Sequence, residues 1–466
     1  MAQSNLEKSY DTETHWQKQR PLSGVSPARW EAWQLLQRLE RTGAYLDRLV
    51  ESVLNRRPLG AADRALLTEL VHGVVRWQRW LDFVLQHFAA HPLHRYPMPV
   101  RVALRLGAYQ LLFLSRVPAY AALHQTVELV KPLDPGAAGL VNAILRALLR
   151  HREKLPEPDR GDKVRYYATV ASYPTWIVRR WLERLGEGEA VQLLQAQNQR
   201  PQVALRVNQQ RIRPEELVEW LRCRGVETSV SEYTQRCILA EHLPHELLRE
   251  VLQRGWASVQ DVSAALVVEL AAVRPGMQIV DLCAAPGGKA CAMAEQLEGR
   301  GHIAAVDVHP NRLRLVEREA NRLGIASVMS FHAADARSFR WEEADLVLAD
   351  VPCSGLGTIA KKPDIKWRRR EADIPVLVRL QRSILENAAR LVRPGGVLLY
   401  STCTTEPEEN EGVVQDFLRR HPEFVLEHAE QWIPAAVCQG GFLKVLPHRH
   451  PGCDGAFAAR MRRVNG

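Results

Sequence analysis

Between residues 276 and 402 the chain repeats one unit: a short apolar run, a turn, then a helical stretch. The runs at 277–282, 302–307, 328–335, 345–350 and 397–402 are apolar at successive positions, so neither face of these strands is meant for water. Strands buried on both faces and joined through helices predict a doubly wound α/β domain with a mostly parallel sheet. Such a domain is expected over residues 255–466. It also directs attention to the carboxyl ends of the strands, where such sheets bind ligands.

The preceding part has another rhythm. Residues 1–22 are polar and predict a flexible extension. From Ser26-Pro27, an N-cap followed by an N1 proline, the pattern is helical. Leu66, Leu70, Val74, Trp77 and Leu81 recur at helical spacing, with Asp63 as the expected cap. Further helices are predicted near 100–115, 119–130 and 137–151, which makes 23–152 an all-α domain. Residues 155–161 are charged and rich in Pro and Gly, as in a linker. Residues 165–254 read as linker helices and a small α+β module, with strands at 203–208 and 228–231 and a helix at 214–223.

At 466 residues the chain is too long for one core. No apolar run reaches the ~18 residues of a membrane span, and the N-terminus lacks the apolar segment of a signal peptide. The eight cysteines are scattered without a CxxC pair, which argues against a zinc ribbon or a dithiol redox motif. A cytoplasmic protein with no membrane contact and no metal is expected. The formal net charge is +9, carried by 52 Arg and 10 Lys. Arginine pairs with phosphate and stacks on bases, so a nucleic acid fits this balance, although a GC-rich genome that encodes Arg cheaply would produce it too.

The first strand runs into Asp281-Leu282-Cys283-Ala284-Ala285-Pro286-Gly287-Gly288-Lys289, and a helix follows. Small residues let the backbone approach a ligand, and the helix N-terminus offers N–H groups to it. The order is neither GxGxxG nor GK[ST], which disfavours nicotinamide and nucleoside-triphosphate sites. Asp307, 26 residues after Asp281, ends the second strand, where a carboxylate can accept both hydroxyls of an adenosine ribose. Asp335, expected to end the third strand, could receive the adenine amino group. Together these features describe a nucleoside-shaped cofactor.

The fourth strand leads into Asp350-Val351-Pro352-Cys353-Ser354-Gly355 and the fifth into Tyr400-Ser401-Thr402-Cys403-Thr404. Consecutive strands on one side of such a sheet are usually neighbours, so the two thiols are expected side by side at the ligand crevice. Two thiols beside a nucleoside cofactor suit one reaction. Carbon 5 of cytosine becomes nucleophilic only after a thiolate adds to carbon 6, and it can then take a methyl group from a sulfonium donor. A base must next remove the carbon-5 proton so that the thiol can leave. Asp350 could protonate or hydrogen-bond the N3 and amine edge of the base. Chemistry alone does not say which cysteine attacks.

Asp281–Lys289, the Pro-Cys-Ser-Gly-Leu-Gly block with Pro363-Asp364-Ile365-Lys366-Trp367, and Ser-Thr-Cys-Thr followed by Glu408-Glu409-Asn410-Glu411 resemble the RNA cytosine-5 methyltransferases that use S-adenosylmethionine. The helical N-terminal region, most tellingly Val141-Asn142-Ala143-Ile144-Leu145-Arg146, is similar to the domain of the antitermination factor NusB. The resemblance spans about residues 25–464. It implies a seven-stranded, Rossmann-like methyltransferase fold and S-adenosylmethionine as cofactor. It also implies 16S ribosomal RNA as partner, naked or partly assembled; a monomer is expected. Carried over by position, it implies that Cys283, Ala284, Ala285, Pro286, Gly287, Gly288 and Lys289 hold the methionine part of the cofactor. Asp307 would bind its ribose, Asp335 would sit near its adenine, and Asp350 would lie between cofactor and base. Cys403 would attack and Cys353 would aid release.

Two departures stand out. Ala265 occupies a position where the resemblance leads us to expect Gln, and the Pro447–Gly455 stretch contains Cys453 between His450 and the last strand. His448, His450 and Cys453 invite a metal reading, but the family pattern accounts for the histidines without one. For RNA contacts, Lys361, Lys362, Lys366 and Arg368–Arg370, with Trp367 among them, are expected to form a basic track carrying an aromatic platform. Arg179 and Arg180, beside Trp176 and Trp181, form a second candidate. A transfer RNA substrate and a non-catalytic assembly factor are the competing readings. The NusB-like region weighs against the first, and the intact thiols and cofactor loop weigh against the second.

Overall fold

The computed structural model describes residues 24–464, so the predicted extension at 1–22 lies outside the described residues. Two compact units emerge. One comprises residues up to Val191 together with Lys362–Arg368; the other comprises Gln192–Lys361 and the chain from Arg369 onward. Among the described residues no helix is long and apolar enough to cross a membrane.

The first unit is helical: α1 (Pro27–Thr42), α2 (Leu46–Arg56), α3 (Ala61–Arg76), α4 (Gln78–Phe88), α5 (Met98–Phe113), α6 (Ala119–Val130), α7 (Pro135–Arg150), α8 (Lys163–Val170) and most of α9 (Thr175–Ala196). Proline at N1 starts α1, and Gly43 in the left-handed region ends it by donating its N–H to the Leu39 carbonyl. The cap of α3 is Gly60, and Asp63 falls inside the first turn, where its charge still complements the helix dipole. Leu67, Leu70, Val71, Val74, Leu104, Leu106, Leu145 and Leu148 form the buried core. Gly73 makes that packing possible, since a Cβ there would fall 1.9 Å from the Tyr109 ring. The buried Arg105 is neutralised by Asp82 Oδ1 and Oδ2 at 2.6 and 2.7 Å and by Glu40.

Within residues 165–254, α8 and most of α9 group with the helical unit. The rest is a four-stranded antiparallel module, in which β1 (Val203–Val207), β2 (Thr228–Val230), β3 (Cys237–Ala240) and β4 (Ala257–Val259) run in the order β2-β3-β1-β4. Helices α10 (Pro214–Arg222) and α11 (His245–Gln253) accompany it. Strands β3 and β4 and helix α11 escaped the sequence reading because such short runs show no clear period.

The main sheet of the second unit contains β5 (Gln278–Asp281), β6 (His302–Asp307), β7 (Met329–Ala333), β8 (Ala344–Asp350), β9 (Val392–Thr402), β10 (Phe424–Glu427), β11 (Cys438–Gln439), β12 (Phe442–Val445) and β13 (Ala456–Arg463). Its order is β11-β12-β13-β9-β8-β5-β6-β7, with β10 paired to β13. It therefore has nine strands where seven were expected. Strands β5 to β9 are parallel, and the remaining four add antiparallel pairs on the β9 side, three of them only two to four residues long. Successive residues serve opposite cores. Ile279, Ile303, Leu346 and Leu399 pack under α12 (Val262–Ala271), α13 (Gly288–Gln296) and α14 (Pro310–Leu323). Val280, Val306, Val347 and Leu398 meet α16 (Asp373–Leu391) and α17 (Glu411–Arg420), with the four-residue α15 (Ile365–Arg368) preceding them. This two-sided burial is why the strand sequences are continuously apolar. The chain runs β5, β6, β7 outward and returns with β8 beside β5, which opens a crevice at their carboxyl ends.

Candidate active site

Three acids end adjacent strands at that crevice: Asp281 on β5, Asp307 on β6 and Asp350 on β8. Asp281 is buried, and burial together with the neighbouring Asp350 pushes its pKa up to about 7. Its Oδ1 accepts from the Cys283 N–H at 3.2 Å, which turns the chain out of the strand. The Ala284 N–H then reaches the Val306 carbonyl at 2.8 Å, and Arg312 Nη2 holds the Ala285 carbonyl at 2.7 Å. Gly287, at φ +115°, makes the final bend into α13. A Cβ there would stand 3.0 Å from Val316 Cα, so only glycine fits. Pro286 is exposed at the bend, while burial and the surrounding acids push the Cys283 thiol well up.

Asp307 is buried, accepts from the His309 N–H at 2.9 Å and has Arg312 at 3.5 Å. Asp335, expected to end the third strand, lies instead in the turn that follows, because β7 stops at Ala333. Its carboxylate takes the Arg337 N–H at 2.9 Å and the guanidinium at 2.5 Å, and Arg337 holds its pKa below the usual value.

Lys289 Nζ donates to Asp350 Oδ2 at 2.7 Å, and Ser401 Oγ donates to Oδ1 at 2.6 Å. Asp350 pairs with Ser401 in the parallel β8–β9 register. The chain continuing from each strand therefore emerges beside the other, and the Sγ atoms of Cys353 and Cys403 lie 3.3 Å apart. The Cys403 N–H also points at Cys353 Sγ, at 3.3 Å. Cys353 is buried and Cys403 half-buried. The hydrogen bond with Cys403, reinforced by burial, pushes the Cys353 thiol well above its ordinary value, so it stays protonated at neutral pH.

The predicted RNA track does not hold as drawn. Lys366 is 0 % exposed: its Nζ donates to the Arg76 and Ser172 carbonyls at 2.9 Å each and sits 3.9 Å from the centre of the Tyr173 ring. Burial beside Arg76 pushes its pKa well below that of an ordinary lysine. Trp367 donates from Nε1 to the Val75 carbonyl at 2.7 Å and packs on the helical core. Lys361 pairs with Asp261 and, at 3.1 Å, with Asp454. Lys and Trp at these positions are structural anchors: a cation with enclosed acceptors, or a ring with a buried N–H, has nothing left for a phosphate or base. Lys362 and Arg370 are exposed, as is Arg179; Arg180 is half-buried, and Trp181 is fully buried and cannot stack on a base.

Ala265 is buried in the core under the sheet. Gln260, five positions earlier, approaches the loop instead, with its Nε2 3.4 Å from where a Cβ on Gly288 would lie. Both ring nitrogens of His450 face backbone groups, Nδ1 towards Leu446 N at 3.0 Å and Nε2 towards the Ala436 carbonyl at 2.9 Å. Gln381 and Arg369, which both touch the backbone around Cys353, carried no sequence signal for that role. Glu409 lay in plain view inside the motif after Cys403.

Comparison with known proteins agrees with this architecture. A family model described as 16S rRNA methyltransferase RsmB/F matches residues 268–462, and the NusB family matches 26–150. A model described as the ferredoxin-like domain of RsmF/B-like methyltransferases matches 173–243. The probable ribosomal RNA small subunit methyltransferase B of Bacillus subtilis is 34% identical over 448 residues, covering 93% of this chain and 98% of that protein. The ribosomal RNA small subunit methyltransferase B of Yersinia pestis is 34% identical over 447 residues, covering 92% and 96%. The crystal structure of PH0851 superimposes with a TM-score of 0.76 at 27% identity, covering 95% of this chain and all of that one. A methyltransferase homologue from Pyrococcus horikoshii gives 0.55 at 27% identity, covering 65% of this chain and all of that one. The second unit thus carries a Rossmann-like methyltransferase domain, and the first contains a NusB domain. The chain belongs to the RsmB/F family of 16S rRNA methyltransferases.

Proposed function

We propose that this protein transfers a methyl group from S-adenosylmethionine to carbon 5 of a cytosine in 16S ribosomal RNA through a transient bond between Cys403 and carbon 6. The observation that carries the reading is the 3.3 Å approach of two thiols next to Asp350, at the carboxyl ends of neighbouring parallel strands. S-adenosylmethionine, when bound, supplies an electrophilic methyl on a sulfonium. The chain fits it chemically: three acids converge on the crevice, one of them held partly protonated, and a cationic, hydroxyl-bearing ligand would satisfy them.

Each residue then has a task. Cys403, the less buried thiol, adds as thiolate to carbon 6 of the flipped-out base and makes carbon 5 nucleophilic. Asp350, held on both oxygens by Lys289 and Ser401, faces the N3 and amine edge and orients the base by accepting the amine N–H, while a proton delivered to N3 neutralises the negative charge that the addition builds there. Carbon 5 takes the methyl, a base removes its proton, and the electron pair of that C–H bond expels Cys403 sulfur. Cys353, kept as a neutral thiol, hydrogen-bonds the departing sulfur and eases its release. Cys283–Lys289 cradle the methionine part, Asp307 receives the ribose hydroxyls, and Asp335 exchanges an exposed pairing with Arg337 for the adenine.

The test uses two variants and a denaturing gel. Cys403→Ala is expected to bind cofactor but neither methylate RNA nor form an adduct, while Cys353→Ala accumulates a slowly migrating covalent protein–RNA species. An adduct in Cys403→Ala would overturn the reading. Bisulfite sequencing of ribosomal RNA from cells with and without the protein would identify the base.

A further inference from the structure

The backbone that carries Cys353 is gripped on both sides. Gln381 Nε2 donates to the Pro352 carbonyl at 3.0 Å and, with its other hydrogen, to Glu409 Oε2 at 2.8 Å. The same Glu409 oxygen accepts the Ser354 N–H at 2.8 Å. Arg369 spans the remaining acceptors, its Nη2 reaching the Cys353 carbonyl at 2.9 Å and its Nε the Ser354 carbonyl at 2.8 Å. Gln381 and Glu409 are 0 % exposed. Tyr400 Oη donates to the Glu409 carbonyl at 2.6 Å, so the clamp is tied to β9, the strand that leads into Cys403.

A buried carboxyl and a buried amide are costly to keep inside a protein unless they hold something. Here they hold three consecutive residues, with the Cys353 thiol at the centre. Glu409 Oε1 and Gln381 Oε1 are buried without a hydrogen-bond partner among the described residues, so neither side chain is optimised for its own satisfaction. Burial also raises the Glu409 pKa, consistent with a group working through hydrogen bonds more than through charge.

We infer that Glu409 and Gln381, with Arg369, are positioning residues that fix the Cys353 thiol against the Cys403 sulfur. The inference rests on the covalent reading above and adds the residues that make release efficient. Loss of the clamp lets the Pro352–Ser354 loop drift, and an ångström of drift removes the hydrogen bond to the departing sulfur. Release should suffer while binding and methyl transfer persist.

The test takes the full chain with S-adenosylmethionine and a 16S RNA fragment, and follows single-turnover methylation, steady-state turnover and adduct on a denaturing gel. Cys353→Ala is the reference. Gln381→Met and Glu409→Leu are expected to keep the single-turnover burst, the cofactor affinity and the KM for RNA. Their steady-state kcat should fall about ten- to a hundredfold as adduct accumulates. Glu409→Gln should restore release, because its amide oxygen still accepts the Ser354 N–H. If Glu409→Leu fails to fold, Gln381→Met and the Glu409→Gln rescue carry the comparison. Adduct in Cys353→Ala with wild-type turnover in Gln381→Met would overturn the inference and leave the covalent reading standing. No adduct in Cys353→Ala would remove the covalent reading itself.

Discussion

Lys289 Nζ lies 2.7 Å from Asp350 Oδ2, joining the first turn of α13 to the last residue of β8. The two motifs are 61 residues apart in the chain and meet because β8 returns beside β5. Burial alone would lower the Lys289 pKa, but Asp350 outweighs it and raises it, so the ammonium stays charged. It in turn lowers the pKa of Asp281.

Removing that ammonium should weaken the crevice as a whole. Lys289→Met takes the ammonium out of the turn proposed to hold the methionine part of the cofactor, whose carboxylate it would attract, and cofactor affinity is expected to drop by about 1–3 kcal/mol. Isothermal calorimetry with S-adenosylmethionine checks this, and an unchanged Kd would show that the pair serves folding only.

Asp281 sets a pH dependence. Its folded pKa of about 7 is above that of an unfolded aspartate, so between about pH 4 and pH 7 the native state binds more protons than the unfolded one. Stability of the ligand-free enzyme from this group is therefore highest at acid pH and falls as pH rises towards 7. Asp281→Asn should flatten that part of a Tm-against-pH curve. A cationic ligand favours the ionised form, so the Tm gain from S-adenosylmethionine should be larger at pH 8 than at pH 5.

Gly287→Ala forces a Cβ into the left-handed backbone region, 3.0 Å from the Val316 Cα of α14. A cost of about 1–2 kcal/mol in stability follows from the backbone alone. The displaced cofactor turn should weaken S-adenosylmethionine further, which denaturant titration and calorimetry would separate.

Lys366 and Lys362 stand four positions apart and should behave oppositely. Lys366→Met removes two buried hydrogen bonds and lowers Tm, while the slope of RNA affinity against salt stays the same. Lys362→Ala, at an exposed position, should leave Tm alone and reduce that slope by about 1 if it meets a phosphate. Equal slopes in both variants would remove Lys362 from the RNA surface.

The strands β5, β6 and β8 were legible because two-sided burial writes itself as continuous apolar runs, and the cofactor turn because small residues in that order tolerate few other uses. The extra strands at the β9 side were not, since two- and four-residue elements gain their form from ladder partners far along the chain. Lys366 was misread for a related reason. A lysine beside a tryptophan looks like a surface for RNA, and nothing local says that the Arg76 and Ser172 carbonyls will enclose it.

What the chain determines on its own, then, is chemical kind: which strands are buried, where the backbone bends to admit a ligand, and which segments carry thiols and acids. Only the folded arrangement decides which of these meet. Cys353 and Cys403 are 50 residues apart, and their 3.3 Å approach depends on the parallel pairing of β8 with β9. Hydrogen-bonded register acts between distant segments, so no local pattern of side chains encodes it.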